Sequence, residues 1–167
     1  MFVIKWLSMI SIFSICSYIG ILKSRSYENR VKELNKFQNS LIMFKSKIEF
    51  TYEPLKNIFE EISKVIYLDK ENIFKQVLKN NDNIYTSWCE SVENNSNELL
   101  QEDKDIIKMM GKLLGKTDIK GQVNEIELTK KLIDKQIEKA EIEKNKNVKL
   151  YKTMGVIIGL GICIILV

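Results

Sequence analysis

Apolar residues recur along this chain in two different patterns. Residues 6–22 and 153–167 carry no charge and are apolar almost throughout. Between them, apolar side chains return every third or fourth position, the spacing of one helical face. The first stretch lies between Lys5 and Lys23 and would span roughly 25 Å as a helix, the low end of a bilayer core. It is long for a secretory signal, no small-residue cleavage motif follows it, and Ile15 is too large for a lipoprotein signal before Cys16, so an uncleaved anchor is expected. The second stretch would span roughly 22 Å, and Lys149 and Lys152 can snorkel to lengthen its buried part. The chain therefore divides into an N-terminal transmembrane anchor (1–22), a body (23–152) and a C-terminal transmembrane anchor (153–167).

The body reads as helix. Tyr27, Val31, Leu34, Phe37, Leu41, Phe44 and Ile48 mark one face of a helix continuous with the first anchor. Pro54 breaks it and suits the first turn of a second helix, about 54–67, with Leu55, Ile58, Phe59, Ile62, Val65 and Ile66. A third, about 70–80, is capped by Asp69, and a fourth, about 83–94, by Asp82. A fifth, about 99–114, carries Ile106, Ile107, Met110, Leu113 and Leu114 and stops at Gly115. Thr117 or Asp118 caps the last, whose face runs Ile119, Val123, Ile126, Ile133, Ile137, Ala140 and Tyr151, interrupted at Lys130, Lys144 and Asn147. The fold class is all-α: an antiparallel six-helix cytosolic bundle flanked by two transmembrane helices. Counting alternations puts the turns near 50–54, 80–83 and 114–118 at the end away from the membrane, and those near 68 and 95 toward it.

Charge sets orientation. Lys23, Arg25, Lys146, Lys149 and Lys152 flank the anchors on the body side, so the positive-inside rule places the body in the cytoplasm and both termini outside. The same residues would face anionic headgroups. Lys and Arg total 26 against 22 Asp and Glu, a net charge of +4, too small to indicate a nucleic-acid partner. The chain has no histidine, which excludes histidine-dependent triads and zinc sites. The three cysteines lie too far apart for a CxxC motif. No catalytic residue, cofactor, metal or small-molecule substrate is expected.

Some motifs invite chemistry. Gly111–Thr117 resembles a P-loop but is one residue short between its glycines and follows a helix rather than a strand. Glu60/Glu61 and Glu102/Asp103/Asp105 read as solvated helix faces, and Trp88 as core. In the membrane segments, Gly155, Gly159 and Gly20, with serines at every third position of the first, offer close-packing faces.

The closing stretch Lys146-Asn147-Val148-Lys149-Leu150-Tyr151-Lys152-Thr153-Met154-Gly155, with its apolar tail, resembles the end of the stage III sporulation protein AB family. So do Leu113-Leu114-Gly115-Lys116-Thr117-Asp118 with Gln122, the group Glu49, Thr51, Pro54 and Leu55, and Trp88. Thr117 stands where the family more often has Ser. The layout of anchor, helical body and anchor is similar over essentially the whole chain. The resemblance implies a mother-cell membrane protein of endospore-forming bacteria in the channel apparatus facing the forespore. It further implies a non-enzymatic platform or adaptor, similar to the cytosolic domain of type II secretion and type IV pilus platform proteins. Such a protein docks a cytosolic secretion-type ATPase, the AA protein of the set, to the other stage III channel proteins. On this reading Glu49, Thr51, Tyr52, Pro54, Asp118 and Gln122 form a partner-binding end. The alternative is a membrane-anchored signalling or regulatory helical domain.

Overall fold

The computed structural model describes residues 2–51, 53–68, 70–79, 83–112 and 114–166, with side chains from Trp6 to Ile165. Among them are six helices and no strand: α1 (Phe2–Phe50), α2 (Leu55–Val65), α3 (Ile73–Lys79), α4 (Ile84–Asn95), α5 (Gln101–Met110) and α6 (Ile119–Leu166). The chain is all-α, and the first anchor and the first body helix are one element, as are the last body helix and the second anchor. Asp69, Asp82 and Leu113, assigned above as caps and a core residue, lie outside the described residues.

The chain forms two compact units, one of residues up to Val31 with Lys139 onward, the other Lys32–Glu138. In the second unit, α1 buries Leu34, Phe37, Leu41, Phe44 and Ile48, and α2 buries Ile58, Phe59 and Ile62. Val65, expected on that face, is exposed instead, beside a turn in which Leu68 takes φ 52°, the left-handed region that disfavours a leucine. Trp88 is fully buried at the centre of an aromatic cluster, with ring centroids 6.5 Å from Phe37, 5.8 Å from Phe59 and 5.5 Å from Phe74. On α6 the buried positions are Ile126, Thr129, Ile133 and Gln136, a regular alternation of three and four. The apparent interruption near Lys130 arises because polar Thr129 and Gln136 occupy inward positions that a search for apolar residues passes over.

Four helix starts and one helix end differ from the sequence expectation for local reasons. Pro54 stands just before α2 rather than inside it, its carbonyl accepting from Asn57 N (2.9 Å) and Ile58 N (3.3 Å). Asn72 Oδ1 accepts from Lys75 N at 3.1 Å, while its amide donates to Ser63 Oγ and Lys70 O, so α3 begins three residues later than predicted. Asn83 Oδ1 accepts from Tyr85 N at 2.9 Å and caps α4. Asp103, read as part of a solvated acidic face, is fully buried, and its carboxylate accepts from Leu100 N at 3.0 Å to fix the start of α5.

α5 ends at Met110 rather than near 114. There Gly111 N turns back to Lys108 O (3.0 Å), and the Trp88 indole N–H donates to Ile107 O at 2.8 Å. A Cβ on Gly111 would lie 2.3 Å from Trp88 Cδ1, so only glycine fits against the indole. The P-loop-like segment thus opens with a glycine that ends a helix and packs on the core.

Gly111→Ala should therefore cost about 1–3 kcal/mol through overpacking. Trp88→Phe should cost a similar 1–3 kcal/mol by leaving the Ile107 carbonyl unpaired. Thermal unfolding of the full chain in detergent checks both; a Gly111→Ala protein as stable as the parent would contradict the packing.

Glu93 receives Lys104 Nζ at 3.2 Å and Lys108 Nζ, and the hydrogen bonds from Lys108 and Lys104 lower its carboxyl pKa to about 2. The folded state then holds the carboxylate ionised where an unfolded chain, near the ordinary value of about 4.3, takes up a proton. The pair's contribution is complete above that value and is lost as pH falls toward 2. The stability difference between the parent and Glu93→Gln should shrink over this window; a pH-independent difference would contradict the assignment.

Candidate functional site

No group of three or more acidic, histidine or cysteine side chains converges to hold a metal among the described residues. The carboxylates considered above are engaged: Glu60 by Lys64 at 2.6 Å, Glu61 by Lys47 at 2.7 Å, and Asp105 by the Gln101 amide at 2.9 Å.

In the second unit, α1 ends with Thr51 N and Oγ1 both donating to Lys47 O (3.0 and 2.7 Å). Lys47 Nζ also reaches Glu53 at 3.5 Å, tying the turn to α2 through Glu61. The turn before α6 meets this one. Gly115 has φ +71°, a conformation that favours glycine, and a Cβ there would sit 3.2 Å from Leu55 Cδ1. Asp118 Oδ1 accepts from Gly121 N at 3.0 Å, so Asp118 caps α6. Gln122 donates through Nε2 to Thr117 O at 3.0 Å, while Gln122 Oε1 and Thr117 Oγ1 are shielded and have no hydrogen-bond partner among the described residues.

The two long helices pair here through Lys45 and Glu127 (2.5 Å), and further along through Gln38 and Asp134. The lysine holds the Glu127 carboxyl below its usual range. Glu49 lies one turn beyond Lys45, and Val123 one turn before Glu127, so Glu49 and Gln122 stand at about the same level. Glu49, Thr51, Pro54 and Asp118 are exposed, and Gln122 is half-buried. Tyr52 lies outside the described residues. The sequence reading passed over Phe50, which is 73% exposed at this end, and placed Ile119 on a buried face although it is 39% exposed. Phe50 falls two residues after Ile48, off the three-and-four spacing of the buried face, and that offset was the available signal.

The opposite turns of the second unit line a cavity of about 410 Å³. Tyr67, Asn72, Asn95 and Ser96 are among its walls. Burial pushes the Tyr67 phenol far up, and Lys36 Nζ lies 5.7 Å from its ring centre.

The first unit holds the apolar ends. By length and composition α1 and α6 are each able to cross a membrane, with windows of mean hydropathy 1.5 and 1.8. Only 11% of either window is buried, unlike the core helix of a soluble protein. Partners step up α1 as they step down α6: Met9 O with Cys163 Sγ, Gly20 with Gly155, Tyr27 stacked on Tyr151 at 5.8 Å, Arg30 on Glu143 at 2.8 Å. A Cβ on Gly20 would lie 2.6 Å from Tyr151 O, and one on Gly155 2.9 Å from Cys16 O. Gly159 sits against Phe13 and Cys16, whereas Gly161 faces open space. Lys152 pairs with Glu28 at 3.3 Å. Lys23, Arg25, Lys146 and Lys149 are exposed and make no ion pair among the described residues.

Residues 5–167 match the family model described as Stage III sporulation protein AB. The chain belongs to that family. A relative in Bacillus subtilis (strain 168), named Stage III sporulation protein AB, is 22% identical over 169 residues, covering 98% of this chain and 99% of that protein. A solved structure of a Stage III sporulation protein AB aligns with a TM-score of 0.60 at 21% identity, over 71% of this chain and 98% of that one. That likeness concerns the helical fold. In this AB-family chain both membrane-type helices and the turn end described above fall inside the matched range.

The glycine contacts give a direct test. Gly20→Val would drive a side chain into the α6 backbone and should destabilise the protein by about 1–3 kcal/mol, whereas Gly161→Val should be within about 0.5 kcal/mol of the parent. Thermal unfolding in detergent distinguishes them; equal effects would contradict the close approach at Gly20.

Proposed function

We propose that this chain is a non-enzymatic membrane platform of the sporulation channel between mother cell and forespore. In this reading it docks a cytosolic secretion-type ATPase, the AA protein of the stage III set, to the other channel proteins. Residues 23–152 form an antiparallel six-helix bundle in the cytoplasm, and 1–22 and 153–167 cross the mother-cell membrane with both termini outside. The basic flanks on the body side support that sidedness. Family membership supports the sporulation role.

The observation that carries the docking surface is the meeting of two distant turns. Leu55 and Gly115 touch, which gathers Thr51, Pro54 and Asp118 on one end of the second unit, with Phe50 exposed among them. Pro54 and Asp118 have structural duties as a helix stop and a cap. Exposed Glu49 acts in the fold as a charge near Lys45, and Phe50 stands exposed beside ordered turns, where an aromatic suits a protein contact.

The test is photo-crosslinking in sporulating cells with a probe at Glu49, and at Lys32 on the same helix as the control. The proposal expects adducts with the ATPase from position 49 and none from position 32. Adducts with membrane proteins alone would favour an anchored regulatory domain and sink the docking surface.

A further inference from the structure

A groove runs along the α1–α6 pair in the first unit, beside the close approach of Gly20 and Gly155. Its volume is about 370 Å³, and Cys16, Ile19, Met154 and Ile158 form its walls over a floor of the two glycines. Lys23 and Tyr151 also line it. Because partners step up α1 as they step down α6, Cys16 and Ile158 mark one end and Lys23 and Tyr151 the other. The groove is therefore apolar along its length and finishes at a cation and an aromatic ring. Tyrosine and lysine are the residues that sit at headgroup level.

We infer that this groove seats one anionic phospholipid of the body-side leaflet, an acyl chain over Gly20 and Gly155 and the phosphate at Lys23. The groove follows α1 from Cys16 to Lys23, about two turns, and its volume accommodates a single acyl chain. Charge selects the headgroup. Lys152 and Arg30 are already paired with Glu28 and Glu143, whereas Lys23, which lines the groove, makes no ion pair among the described residues. A zwitterionic headgroup would bring its own cation toward it; a net-negative one would not. Basic sites between membrane helices recognise acidic lipids on this principle. The glycines then have two roles: they let the helices touch, and they leave the furrow that the chain fills.

The inference rests on reading both ends as membrane spans. The experiment uses the full chain reconstituted with equal amounts of phosphatidylglycerol and phosphatidylcholine, extracted in mild detergent and examined by native mass spectrometry. About one phosphatidylglycerol per chain should be retained in preference to phosphatidylcholine. Lys23→Gln should reduce that preference about fivefold, one near-surface cation's share. Ile158→Trp, which fills the groove, should reduce retention of both lipids, while Gly161→Leu, on an open face, should leave retention unchanged and report intact folding. Equal retention of the two lipids would overturn the inference. So would unchanged phosphatidylglycerol retention in Ile158→Trp, because the attraction would then be spread over the basic flank with no seat for a chain. Release of the native protein from membranes by alkaline carbonate would remove the spans themselves, a failure distinct from the other two.

Discussion

Two helices in this chain must each satisfy two solvents. α1 and α6 begin or end as apolar cylinders suited to hydrocarbon and become amphipathic helices with a buried stripe. In a bilayer every backbone group must be satisfied within the helix, and both helices run unbroken from their apolar ends into the amphipathic part. The pairing between them adapts to each environment. In the apolar part glycines bring backbones into contact, since hydrophobicity gives no drive for helices to associate in lipid. At the polar margin the contacts become Tyr27 on Tyr151 and Arg30 on Glu143. In the second unit they become buried aliphatic and aromatic side chains with flanking pairs such as Lys45 and Glu127. Arg30 is almost fully buried in its pair, an arrangement better at fixing register than at adding stability.

The short helices are organised around Trp88. Its ring lies against Phe37 of α1, Phe59 of α2 and Phe74 of α3, and its indole N–H holds a carbonyl of α5. One α4 side chain thus touches four other helices. That explains why Gly111 ends α5 where it does, and why the segment from Gly111 to Asp118 is a connection rather than a phosphate cradle. The connection in turn sets Gly115 against Leu55 and assembles the exposed end proposed for docking.

Much of this was legible in the chain. The apolar ends, the helical class and the buried stripe of α1 follow from side-chain spacing, because a strong period leaves little freedom. What was hidden depended on polar residues turned inward and on tertiary contacts. Thr129 and Gln136 carry the α6 stripe through a stretch that reads as polar, and Asp103 is buried as a cap although its neighbours suggest a charged surface. The early end of α5 could not be read locally, since Trp88 lies far from Gly111 in sequence and only packing brings them together. For the candidate docking end, the resemblance named Glu49, Thr51, Pro54, Asp118 and Gln122. It did not name Phe50, although its place two residues after Ile48 sets it off the buried face.

Central to the proposed function is that the two apolar ends cross a membrane and leave the body on the cytoplasmic side. Thiol accessibility tests it most directly. With Cys16 and Cys163 replaced by serine, half-exposed Cys89 reports on the body, and a cysteine introduced in place of Phe2 reports on the N-terminus. A membrane-impermeant maleimide applied to intact protoplasts should label position 2 and spare Cys89 until the cells are permeabilised. Labelling of Cys89 in intact protoplasts, with position 2 protected, would contradict the account.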